Sequence, residues 1–264
     1  MKLPTRSSGR LRLRQRGLTL VEMTVTILIA LFLLAGLFSM VQSTRHTYTN
    51  QTQLTQLQDS ERMAMTLITD VVQSAGYFPA PQTNTAIGAF PIVGTTWPAA
   101  LQVINGTAPG GNLDTLSVRF MTNGGDGILN CLGNTNTNPV GTYVTYTNTF
   151  RLSAPDASGN RYLQCTLDDG SAGPFTPTNL VYGVQSMHVF YGVHRAATTD
   201  NNVDTYLVAT DMGATDWQNV SAVRVVLTFN NPLIAPSSKV VQDKTITFDR
   251  VIAVMNRAGE ASST

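Results

Sequence analysis

Few residues in this sequence stand where they could do chemistry. The three histidines, His46, His188 and His194, have no nucleophile at motif spacing: there is no G-x-S-x-G, no H-E-x-x-H, no phosphate-binding loop and no cysteine beside a histidine. His188 and His194 alternate with apolar residues and read as strand-surface or loop positions rather than metal ligands. Asp200, Asn202, Asp204 and Asp211 occupy positions 1, 3, 5 and 12 of an oxygen-rich pattern that suits Ca²⁺. Against calcium, Thr205 stands where the sharp turn wants glycine, Asp211 is shorter than the usual bidentate Glu, and the intervening TYLVAT has the look of a strand. The segment therefore reads as a solvated hairpin loop, with calcium as the weaker alternative and no cofactor expected. Cys131 and Cys165 are too few for a zinc cluster; as a single disulfide they would close a 35-residue loop, stabilise the fold by roughly 4 kcal/mol and require an oxidising compartment. The remaining residue is Glu22, a carboxylate set inside an apolar run, where an acid costs a few kcal/mol and calls for a partner.

That run extends from Leu18 to Val41 and is apolar apart from Thr19, Glu22, Thr24, Thr26 and Ser39. As a helix its 24 residues reach roughly 36 Å, enough to cross a bilayer. Six of the seventeen basic residues precede it, in a segment 1–17 without a single acid, which by the positive-inside rule stays cytoplasmic and sends the rest outward. No A-x-A cleavage site follows the run, so a plain secretory signal is disfavoured. Without the leader, eleven bases face sixteen acids, net −5. With 42% hydrophobic and 12% charged residues, against about 25% charged in typical domains, the 264-residue chain is neither a charge-driven disordered protein nor a basic nucleic-acid binder.

Beyond the run, Leu54, Leu57, Ala64, Leu67, Ile68, Val71, Val72 and Ala75 recur at helical steps, with Gly76 placed to stop the helix and Pro79 and Pro81 following. From residue 77, glycine, proline, asparagine and threonine punctuate short alternating runs. Strands are expected at Leu116–Phe120, 143–152, 161–167, 185–193, SAVRVVLTFN and KTITFDRVIAVMN, the last two pairing across residues 231–239. Asp126, among Gly124, Gly125 and Gly127, reads as a turn residue, and Trp217 as a core residue.

RQRG followed by LTLVEMTVTILIAL resembles the class III prepilin signal of type IV pilins and type II secretion pseudopilins: a basic leader, a cut after glycine, and Glu at the fifth mature position. The resemblance implies that prepilin peptidase cuts between Gly17 and Leu18, that Leu18, in place of the more usual Phe, becomes the N-methylated terminus, and that Glu22 pairs with the free amine of a neighbouring subunit. Further on, NLDTLSVRFM, GGDGILNCLG, LVYGVQSMHVFYGV, DWQNVSAVRVVLTF and TITFDRVIAVMNR resemble the PilW family of minor pilins; Gly183, Met187, Tyr191, Gly192, Asp216, Trp217, Val220, Val223, Arg224 and Asn256 carry the pattern. The head is also similar to the J-type pseudopilin of type II secretion, and residues 77–111 match no known pattern.

These resemblances imply an α+β, pilin-like fold: a long N-terminal helix, half membrane-spanning and half amphipathic, on an antiparallel β-sheet head. The expected organisation is a cleaved leader at 1–17, a membrane or filament-core helix at 18–41, its amphipathic continuation at 42–76 and a β-rich head at 77–264. The implied role is assembly rather than catalysis, with a periplasmic head on an inner-membrane anchor that later enters a pilus serving twitching motility. The implied partners are prepilin peptidase, FimU-, PilV- and PilX-type minor pilins, a PilY-type tip adhesin and the major pilin, with no nucleic acid. The alternatives are a secretion pseudopilin, a DNA-uptake pilus subunit and a membrane-anchored hydrolase.

Overall fold

The computed structural model describes residues 19–195, 202–234 and 244–256. The chain divides into two compact units with the boundary between Thr52 and Gln53. Helix α1 (Leu20–Gln73) begins in the first, where every described residue from Thr19 to Thr52 is exposed. Thr19 starts it: the hydroxyl accepts from the Glu22 N–H at 3.3 Å and the carbonyl from the Met23 N–H at 3.1 Å, the behaviour of an N-cap.

In the second unit the helix buries Ala64, Met65, Ile68, Val71 and Val72, with Ala75 just past its end, and half-buries Leu54, Leu57 and Leu67, while Asp59, Arg62 and Asp70 face water. The three-and-four spacing produces this stripe; Met65 belongs to it, a position the sequence reading omitted. Each fully buried aliphatic contributes about 1.5–3 kcal/mol, so packing rather than intrinsic propensity holds this half of α1. Gly76 ends the run with φ +75°, a conformation that favours glycine, and its N–H donates to the Arg119 carbonyl at 3.1 Å.

The same unit holds two antiparallel sheets. The first is a five-stranded meander, β1 (Ile104–Thr107), β2 (Thr115–Asn123), β3 (Tyr143–Leu152), β4 (Tyr162–Asp168) and β5 (Thr178–Tyr182), each paired with the next. The second has the order β7-β6-β8-β9, from β6 (Val184–Val193), β7 (Thr205–Leu207), β8 (Ala222–Asn230) and β9 (Thr245–Ala253). Strands β8 and β9 pair as expected, Ala222 opposite Ala253 through Asn230 opposite Thr245, although residues 235–243 of their connection lie outside the described residues. On β8 the alternation works as read: Val223, Val225, Leu227 and Phe229 are buried and Arg224 is exposed. Both sheets and the helix stripe contribute to one apolar core.

Strand β2 departs from the simple alternation. Leu116, Val118 and Phe120 enter the core, but Ser117 and Arg119 on the opposite face are buried too. Residues 86–103, which include the single-turn helix α2 (Ala86–Ala89), supply the partners that bury Arg119. TYLVAT is strand only over Thr205–Leu207; Ala209–Asp211 then form a 3₁₀ turn, ahead of the short helix α3 (Ala214–Gln218).

Candidate functional site

Glu22 is the third residue of α1, three positions after its capping threonine, where a carboxylate is favoured by the helix dipole. Its side chain is exposed and makes no ion pair among the described residues. Around it, Leu20, Val21, Met23, Leu28, Phe32, Leu34 and Phe38 are all at least 60% exposed, a solvent-facing apolar surface that no soluble monomer would keep. Two hydroxyls within this surface are satisfied along the helix: Thr24 donates to the Val21 carbonyl at 2.9 Å and Thr26 to the Glu22 carbonyl at 2.7 Å. That removes the penalty their hydroxyls would meet in hydrocarbon and leaves Glu22 as the one charged side chain from Leu20 to Gln42. α1 is long and apolar enough to cross a membrane. Gly17 and Leu18, the expected processing pair, lie outside the described residues.

In the head, Cys131 and Cys165 form a disulfide, Cα to Cα 6.3 Å, with both residues buried. The Cys131 N–H donates to Asn148 Oδ1 on β3 at 2.9 Å, so the 124–142 loop is fastened to β4 by the disulfide and to β3 by this hydrogen bond. Asp126 is a turn residue as expected, accepting from the Asn123 and Ile128 N–H groups at 2.7 and 3.0 Å.

The oxygen-rich segment does not assemble a cation site among the described residues. Asp204 accepts from the Arg195 N–H at 3.0 Å and lies 3.5 Å from His194 Nδ1, whose ring faces the Asn202 carbonyl at 2.9 Å. Asp211 sits on the 3₁₀ turn and offers its carbonyl to Arg195 Nη2 at 3.2 Å. Asp200 lies outside the described residues, and among those described no three His, Cys, Asp or Glu side chains converge on a metal-sized space.

Three polar constructions were not visible in the sequence. Arg195 grips Asp216 with two bonds, Nε to Oδ1 at 3.1 Å and Nη2 to Oδ2 at 2.5 Å, and these hold the Asp216 carboxyl below the usual carboxylate range. Asp216 also accepts from the Gly213 N–H at 2.7 Å and so caps α3, which half-buries Trp217 with its ring 4.8 Å from that of Tyr191. Asp114, buried, receives the Val189 N–H at 2.9 Å and faces His188 Nδ1 at 2.6 Å, tying the start of β2 to β6. Arg119 is 2% exposed and has no carboxylate partner among the described residues. Its Nε donates to the Gln102 carbonyl at 2.6 Å and Nη1 to the Pro91 carbonyl at 2.9 Å, while the guanidinium lies 4.4 Å from the Trp97 ring centre and 5.6 Å from that of Phe90. Desolvation lowers its pKa to about 10, which leaves it charged at neutral pH. The available signal was one arginine between Val118 and Phe120 beside a long stretch without charges.

Two family models match the chain. Residues 12–38, spanning Gly17, Leu18 and Glu22, match the prokaryotic N-terminal methylation motif, and residues 130–258 match the type IV pilus-assembly protein W family. The chain is a PilW-like type IV pilin-like protein. The methylation motif implies processing of this PilW-like chain by prepilin peptidase, and with the exposed apolar helix it marks membrane anchoring. Among solved structures, a type IV-like pilin from Thermus thermophilus is 14% identical, covering 76% of this chain and 98% of its own, with a TM-score of 0.41. No curated protein sequence matches the chain.

Proposed function

We propose that this chain is a minor pilin that helps prime and assemble type IV pili. Prepilin peptidase removes residues 1–17 on the cytoplasmic side and methylates Leu18; the apolar part of α1 then anchors the chain in the inner membrane with its head in the periplasm. During assembly the helix leaves lipid for the apolar interior of a fibre, and Glu22 receives its countercharge from the terminal amine of a neighbouring subunit. The head contacts minor pilins of FimU, PilV and PilX type, a PilY-type adhesin and the major pilin. The observation that carries this reading is Glu22: an exposed carboxylate with no ion pair among the described residues, on an exposed apolar helix, five residues after the expected cut. The disulfide suits an oxidising periplasm. Glu22→Ala should leave membrane insertion intact and reduce the chain's abundance in sheared fibres at least about tenfold, the order expected when a desolvated ion pair is lost. Wild-type abundance would remove Glu22 from the mechanism.

A further inference from the structure

We propose that the cavity beside α2 is a docking pocket for an uncharged apolar or aromatic side chain presented by another pilin-like subunit, and that it is how this chain selects that neighbour. The inference rests on the assembly role proposed above and names a surface that serves it.

The cavity, about 560 Å³, is lined chiefly by Tyr77, Phe78, Pro79, Phe90, Leu101 and Val103. In the same segment Ile87 and Ile92 are each 62% exposed and Val93 is 53% exposed. All of them fall between Asp70 and Asp114, where 43 consecutive residues include no Lys, Arg, His, Asp or Glu. Among the described residues that line it, an occupant finds ring faces, aliphatic groups, backbone polar atoms and the Asn256 amide, but no charged side chain, Arg119 lying behind the Phe90 ring. A charged partner would lose its hydration without compensation, so the electrostatic match is a neutral one.

The pocket is also held in shape before anything enters it. Two non-glycine residues that line it, Ala80 at φ +54° and Leu101 at φ +63°, adopt the left-handed conformation, which persists only where the surroundings enforce it. They do so here: the Thr83 and Asn84 N–H groups donate to the Ala80 carbonyl at 2.9 and 2.8 Å, Leu101 N–H donates to the Phe90 carbonyl at 3.0 Å, and Gln218 Nε2 reaches the Ala100 carbonyl at 2.9 Å. Arg119 pins Pro91 and Gln102 from the buried side. A site already ordered loses little entropy on binding. Apart from Asn256, the lining lies outside both family matches, which suits a contact peculiar to this subunit rather than one shared by every pilin.

The test uses the full-length chain in cells that assemble the fibre. A photo-reactive benzoylphenylalanine is placed at Ile87 and, in a separate strain, at Phe32 on the apolar part of α1, and the crosslinked peptides are sequenced. The expected partner at Ile87 is an uncharged segment of another subunit that carries its own N-terminal methylation motif. Ala86→Trp, which fills the cavity, and Ile92→Asp, which adds a charge at an exposed site without touching the core, should each lower that yield about tenfold while Phe32 crosslinks persist. The pocket proposal is overturned, with the assembly role intact, if Phe32 reports neighbours while Ile87 is silent. It is equally overturned if Ile87 reacts with glycan, lipid or a protein lacking the motif, or if its yield ignores both substitutions. Silence at both positions contradicts the pocket and the assembly role together.

Discussion

Two charges in this molecule sit in apolar surroundings and are treated in opposite ways. Arg119, in the head, is enclosed: two carbonyls accept from it, two aromatic rings cover it, and its own carbonyl receives the Gly76 N–H just past the end of α1. Glu22, near the start of α1, is open, supported on the backbone side by Thr19 but with a carboxylate that meets no cation among the described residues. In the head this charge is met largely from within, with Arg119 Nη2 and one side-chain polar atom each of Gln102, Thr122 and Asn148 left buried without a hydrogen-bond partner among the described residues, whereas the helix carries a carboxylate that no described residue answers. The difference separates what folds this chain from what, in the function proposed above, assembles it.

The closed side should show large stability effects and small effects per folded molecule on assembly. Replacing both cysteines by alanine should lower the unfolding free energy of the detergent-solubilised full chain by about 4 kcal/mol in denaturant titration; a loss under 1 kcal/mol would mean that the 124–142 loop is held without its crosslink. Arg119→Met should cost about 3 kcal/mol, because the Gln102 and Pro91 carbonyls lose their donors inside the protein; a neutral result would break the contrast with Glu22. Gly106→Ala should cost about 2 kcal/mol, since the new methyl would overlap the Thr115 carbonyl and the buried Tyr191 hydroxyl that donates to it; an unchanged melting temperature would show that the two sheets yield at this junction. The smallest effect concerns pH. Asp216 has a lowered pKa in the folded chain, so its contribution is present above the unfolded carboxylate value near 4 and is lost as pH falls through the folded value. Asp216→Asn should flatten stability across that acid window by roughly 1 kcal/mol or less, its arginine partner being half exposed; an unaltered profile would show that the pair contributes nothing there.

Much of the fold was legible because its signals are periodic. The stripe from Leu54 to Ala75, the stop at Gly76, and strands β3, β4, β6, β8 and β9 follow from spacings of three to four or of two. The acid in the apolar run was legible because such acids are expensive. What escaped depends on partners distant in sequence. Arg119 reads as the wet side of a strand until residues 90–102 fold over it, and Asp114 meets His188 across 74 positions. Residues 77–111 form only one short helix and the four-residue strand β1, their loops being set by hydrogen bonds to side chains elsewhere, so no local pattern announces them.

The central claim is that the basic leader is removed ahead of the apolar helix, which stays attached. Mass spectrometry of the amino terminus of the chain recovered from membranes and sheared fibres tests it most directly. The account predicts a polypeptide that starts at Leu18 and carries one methyl group on its amine, with Glu22 fifth in line. A chain that retains Met1, or one cut after Val41, would contradict it.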